Sequence, residues 1–127
     1  MLFTAAAEHA YAIAEAELIP VITAEVARRE RDAILAAFRE CRVRAVCSAR
    51  VLNEGVDVPD ANVAIIVGGA LGAREHVQRV GRILRPGVNK RAVAYDLVTL
   101  DTVDETRVRA RQRVLAAART PAARRFA

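Results

Sequence analysis

Two short runs bring together residue types that can handle a phosphorylated ligand. Val51-Leu52-Asn53-Glu54-Gly55-Val56-Asp57-Val58-Pro59 sets a glycine and an acid in a turn. Further along, Gln78-Arg79-Val80-Gly81-Arg82-Ile83-Leu84-Arg85-Pro86 carries three closely spaced arginines. An acid at a strand end can hold a ribose hydroxyl, and guanidinium groups can neutralise charge on a transferring phosphoryl group. Steps of three drift slowly round a helix, so Arg82 and Arg85 can converge on one target. Crowded guanidiniums repel one another unless an anion is near. The plainer alternative is a solvated helix face paired with Glu75 or Asp96, and for Asp57 an ordinary loop acid capping a neighbouring amide. A third run, Gly68-Gly69-Ala70-Leu71-Gly72, with Asp96 on a later strand, echoes a dinucleotide fingerprint. Its G-G-x-x-G spacing departs from G-x-G-x-x-G. An oxidoreductase built on it would bind NAD tightly. No G-x-x-x-x-G-K-[ST] stretch exists, and Lys90 is the sole lysine. Half of a nucleotide site is visible.

These residues need strands that end where the ligand lies. Leu2 to Thr4, Leu18 to Ile22, Val43 to Cys47, Ala61 to Val67 and Arg91 to Leu97 read as strands. Ala61 to Val67 is apolar enough to be buried on both faces. Helices are expected over Ala5 to Glu17, from Thr23 to about Arg39, over Ala73 to Leu84, and over Glu105 to Ala118. Thr23 is the expected N-cap of the second helix, with Val26, Ile34, Ala37 and Phe38 near one face. Thr120 to Ala127 reads as a loose tail. Strands alternating with helices imply an α/β fold: a single three-layer domain, a parallel sheet with helices on both faces. Ligands in such sheets bind beyond the carboxyl ends of the strands.

The 127 residues are 54% hydrophobic and 4% aromatic, enough for one domain with a real core. No apolar run reaches the ~20 residues of a membrane span. No secretory signal follows Met1, and Cys41 and Cys47 lack metal-ligand spacing. Cys47 reads as a buried reduced thiol, and a cytoplasmic location is expected. His9 and His76 have no ligand cluster around them. The formal charge is +5, and all but one of the 20 Lys+Arg residues are arginine. A basic surface suits a polyanion, nucleic acid first, although arginine abundance can reflect genome composition and a charge run is usually a solvated face. Arg107, Arg109, Arg111 and Arg113 wrap around the last helix rather than forming a stripe.

Together these segments resemble the second, RecA-like lobe of a superfamily 2 helicase, closest to the XPB-type DNA-repair helicases. Leu2-Phe3-Thr4 resembles the opening strand, motif IV. Glu30 to Arg39 fits the helix pattern E-R-x-x-I-L-x-x-F-R. Ser48 to Pro59 resembles motif V, and Gln78 to Arg85 fits motif VI, Q-R-x-G-R-x-x-R. Leu84 stands where DEAD-box proteins carry a glycine, which points to DNA over RNA.

The resemblance implies a helicase C-terminal lobe over residues 1–118, with the opening strand truncated, and a tail over 119–127. It implies that Arg82 and Arg85 reach the γ-phosphate of ATP, that Gln78 positions that motif, and that Gly55 and Asp57 approach phosphates and ribose. Thr4 and Ser48 are placed where the lobe meets the nucleic-acid backbone. Ala49 stands beside Ser48 at a position that in the family usually carries a hydroxyl. The P-loop, the Mg²⁺-binding acids and most ATP contacts belong to a first lobe, in cis or in trans. The expected function is that of one lobe of an ATP-dependent DNA helicase or translocase, inactive as an isolated chain. The alternative is a non-enzymatic module that docks nucleic acid or protein. A fragment or split-gene product is expected, because Met1 falls inside the opening strand.

Overall fold

Alternation along short strands decides which side chain enters which layer. The computed structural model describes residues 1–49, 61–67, 93–99 and 101–119. Within them β1 (Leu2–Thr4), β2 (Val21–Ile22), β3 (Cys47–Ala49), β4 (Val63–Val67) and β5 (Val93–Leu97) form one parallel sheet, ordered β2-β3-β1-β4-β5. The helices are α1 (Ala7–Glu17), α2 (Arg28–Arg39) and α3 (Val103–Arg119). Leu2 pairs with Cys47 on one side and Ile65 on the other, which puts β1 in the middle.

The two helices that flank β1 take opposite faces. Ala10 and Ala14 of α1 pack on Cys47 and Ala49, with Leu2, Ile13 and Val21 at the margin. Leu35 of α2 joins Phe3, Ile22, Val46, Ala64 and Ile66 in the second core cluster, with Ile34 and Phe38 against it. The three-layer arrangement therefore stands. Alanines on α1 let that helix approach the sheet closely, and larger side chains fill the α2 layer.

Several boundaries differ from the sequence-based expectation, each for a local physical reason. Leu18 does not open β2. It adopts φ 52° and closes α1, with its own N–H and that of Ile19 both donating to the Ala14 carbonyl. Cys41 does the same for α2 at φ 58°, where Arg42 N–H donates to Ala37 O and Cys41 N–H to Phe38 O. This is a Schellman closure built without glycine. Val43 N–H is also drawn to Ala37 O, so the strand expected from Val43 starts at Cys47 instead. Thr23 does not cap α2. Residues 23–26 form a turn, Val26 N–H donating to Thr23 O, and the helix starts at Arg28 after Ala27. Among the described residues β4 is fully buried on one face: Ala64 and Ile66 meet the α2 layer, while on the other Ile65 and Val67 are half-buried and Val63 is 41% exposed. On β5, Val93, Tyr95 and Leu97 are also exposed, whereas α1 packs over β1 to β3.

Candidate functional site

The carboxyl ends of β1, β2 and β3 form a continuous rim. Thr4, Thr23 and Ser48 bring hydroxyls there, and all three are buried to about 1% exposure. The Thr4 hydroxyl donates to Ala6 O at 2.8 Å, which fixes the chain as it enters α1. Ser48 points to the α2 side, since its neighbours Cys47 and Ala49 face α1. Its Oγ and the Nε of Arg31 are buried without a hydrogen-bond partner among the described residues.

Among the described residues two helix N-termini leave this rim, and neither has a side-chain cap. α1 starts after Ala6 (φ −124°, ψ 147°) and α2 after Ala27 (φ −58°, ψ 146°). The first backbone N–H groups of any helix have no partner within it, and the helix dipole places partial positive charge there. Arg28 and Arg29, both exposed, add full charges to the start of α2. Arg28 lies 3.9 Å from Asp32 in an exposed pair, which solvent weakens to little. The rim is thus a surface of backbone donors and guanidinium groups suited to phosphate oxygens.

The turn between β2 and α2 is held by a closed ring of hydrogen bonds. Tyr11 Oη donates to Glu25 Oε2 at 3.2 Å and lies 2.9 Å from Thr23 Oγ1. Glu25 N–H donates to Thr23 Oγ1 at 3.3 Å. Tyrosine has one proton, so with that proton on Glu25 the Thr23 hydroxyl donates to Tyr11.

Cys47 has no exposed surface, and burial pushes its thiol above the ordinary 9.0. The Ser48 amide and the Met1 amino group pull in the other direction. The Met1 amino group donates to Val63 O at 2.7 Å, and burial lowers its pKa from 8.0. At the opposite, amino edge of the sheet lies a cleft of about 480 Å³, lined in part by Phe38, Arg39, Cys41, Arg44 and Asn62.

Of the residues singled out from sequence, Thr4 and Ser48 stand on adjacent strands, Phe3 pairing with Ser48 and Thr4 with Ala49. Gly55, Asp57, Gln78, Arg82 and Arg85 lie outside the described residues, as do Gly68 to Gly72. Among the described residues no three His, Cys, Asp or Glu gather as metal ligands, and no helix is long and apolar enough to cross a membrane. His9 is exposed, and Cys47 is the buried free thiol expected of it. The Tyr11–Thr23–Glu25 ring and the two uncapped helix starts were not foreseen. Their only sequence signal is alanine where a cap residue would stand.

Comparison with known proteins gives these observations a context. The family model ERCC3/RAD25/XPB C-terminal helicase matches residues 5–118. The DNA 3'-5' translocase XPB2 of Sulfurisphaera tokodaii is 42% identical over 104 residues, which cover 82% of this chain and 24% of that protein. The DNA 3'-5' helicase XPB of Mycobacterium tuberculosis is 40% identical over 99 residues, covering 76% and 18%. The chain therefore spans about a quarter or less of these relatives. Among solved structures, the C-terminal domain of the DEAD-box protein Dbp5 superposes with a TM-score of 0.72 at 22% identity, covering 91% of this chain and 69% of that one. That likeness supports the RecA-like fold. On the family match and the relatives together, the chain belongs to the ERCC3/RAD25/XPB C-terminal helicase family.

Proposed function

We propose that this chain is the second RecA-like lobe of an ATP-driven DNA helicase or translocase, completing a nucleotide site whose other wall is a first lobe. The carrying observation is the family match over residues 5–118, which embraces Gly55, Asp57, Gln78, Arg82 and Arg85. In this reading Arg82 and Arg85 neutralise charge on the γ-phosphoryl group during transfer, and Gln78 orients them. Gly55 and Asp57 approach phosphates and ribose. ATP supplies the phosphoryl group, and Mg²⁺ is held by the first lobe. Such arginines are worth about 10³–10⁵ in rate, roughly 4–7 kcal/mol of barrier.

DNA is the proposed track, and the names of the relatives support it. The rim above β1 to β3 supports it physically. With the Thr4 and Ser48 hydroxyls turned inward, the amides at the starts of α1 and α2 and the guanidiniums of Arg28 and Arg29 meet the phosphates. Contacts to phosphate predict binding that tolerates any sequence and weakens with salt. Closure of two lobes on the nucleotide, and their parting after hydrolysis, would shift the backbone contacts along the strand.

The test mixes this chain with a separately purified P-loop lobe of an XPB-type relative and measures DNA-stimulated ATP hydrolysis. Activity is expected only in the mixture, and Arg82→Ala or Arg85→Ala should reduce it by about a thousandfold or more. Hydrolysis by the chain alone, or a mixture indifferent to both substitutions, overturns the reading.

A further inference from the structure

The cleft at the amino edge of the sheet lies at the opposite end of the strands from the rim proposed to meet DNA. Its floor is apolar: Phe38 and Val43 are half-buried against the core, and Val63 is 41% exposed. Arg39 and Arg44 complete the lining, both exposed and so at its solvent side. Arg42, which follows Arg39 in the same stretch, is paired with Glu40 at 2.7 Å. Arg39 and Arg44 have no carboxylate partner among the described residues. Arg39 is in the last turn of α2, where a cation suits the helix end, but Arg44 lies beyond that helix. A small-molecule pocket orients its ligand with a few buried polar groups. Among the described residues the buried polar atoms without a partner are Arg31 Nε and Ser48 Oγ, and neither residue lines this cleft. An apolar floor with a charged, solvated margin is instead the anatomy of a protein interface.

We infer that this cleft docks an acidic peptide segment of a partner protein. An apolar side chain of the segment seats on Phe38, Val43 and Val63, and carboxylates flanking it pair with Arg39 and Arg44. Charge complementarity selects the occupant. A neutral apolar segment would leave two guanidiniums unpaired at the edge of the contact, and a nucleic acid would set its phosphates against an apolar floor. The volume of about 480 Å³ gives room for a short segment rather than a whole domain. Asn62, exposed in the same lining, adds a side-chain amide for the backbone of that segment. Because cleft and rim are at opposite ends of the strands, a partner held here leaves the rim free.

The experiment titrates the chain against a fluorescein-labelled peptide that carries a leucine–phenylalanine pair between two pairs of glutamates. Cys41 lines the cleft and is exposed, so its rate of modification by a thiol reagent reports occupancy. The peptide should bind and slow that modification. Arg39→Ala and Arg44→Ala should each weaken binding about two- to fivefold, the worth of an exposed ion pair. The Arg39→Glu/Arg44→Glu double variant should reject the peptide and take up its counterpart with lysines in place of glutamates, which shows that the variant is folded. A peptide with serines in place of the apolar pair should bind far more weakly. The inference is overturned if the wild-type chain leaves the peptide unbound, or binds it without protecting Cys41. Affinity indifferent to the arginines, or to the apolar pair, overturns it equally. A short DNA duplex that protects Cys41 and displaces the peptide would assign the cleft to nucleic acid and overturn the inference in a different way.

Discussion

Cys47 shows how much one side chain can report about this fold. The folded protein holds the thiol proton above its ordinary value of 9.0, whereas the unfolded chain releases it there. The stability contributed by the neutral thiol is therefore complete below about 9 and is lost as pH rises through the raised folded value. Denaturant titrations at increasing alkaline pH should show the midpoint falling above about 9. Cys47→Ala should flatten that fall, and an unchanged profile in the variant would exclude the thiol as its cause. A thiol-specific reagent should modify exposed Cys41 in the native protein and Cys47 only after unfolding. The burial of Cys47 was legible in the sequence because it follows an apolar run. The ring around Tyr11 was not, because its members are 12 and 14 residues apart and meet only once the chain has turned through α1 and β2.

At the level of helices and strands, the sequence foretold the elements better than their ends. Alanine-rich α1 and the apolar positions Ile34, Leu35 and Phe38 of α2 identify both helices and the layers they fill. Their ends were misjudged because apolar residues expected in strands close the helices instead, Leu18 and Ile19 for α1, Val43 for α2. Leu18 is 91% exposed and left-handed, so replacing it loses no packing. Leu18→Gly should stabilise the domain by about 0.5–1 kcal/mol, the relief of about 1–2 kcal/mol of backbone strain less the entropy glycine adds to the unfolded chain. Ala27→Ser supplies the missing cap of α2 and should add about 1 kcal/mol. Both gains would appear as higher urea midpoints with unchanged slope. If the open end of α2 binds phosphate, the same serine should weaken DNA binding while strengthening the fold. That pairing of effects separates a functional opening from a neglected helix end.

Taken whole, the molecule is a basic domain that spans about a quarter or less of the length of its relatives. The formal charge of +5 and the proposed contact of the rim with phosphates predict a DNA affinity that falls linearly on a log–log plot against salt, with a slope of roughly −0.9 per phosphate contacted. Titrations at several salt concentrations on two duplexes of unrelated sequence check this, the same slope being expected for both. The parallel sheet and its layers were legible because strand and helix signals alternate along the chain. The proposed nucleotide residues Gly55, Asp57, Gln78, Arg82 and Arg85 lie outside the described residues, so that reading rests on their motifs.

The central place of β1 has a consequence for biosynthesis. Its partners are residues 47–49 and 65–67, so β1 finds its second neighbour only after some sixty further residues have been made. At ribosomal speeds that delay is roughly 3–12 s, during which β1 keeps at least one edge open. The nascent polypeptide is then a natural client for chaperones that shield apolar segments, and its yield in a cell should depend on them more than its finished stability suggests.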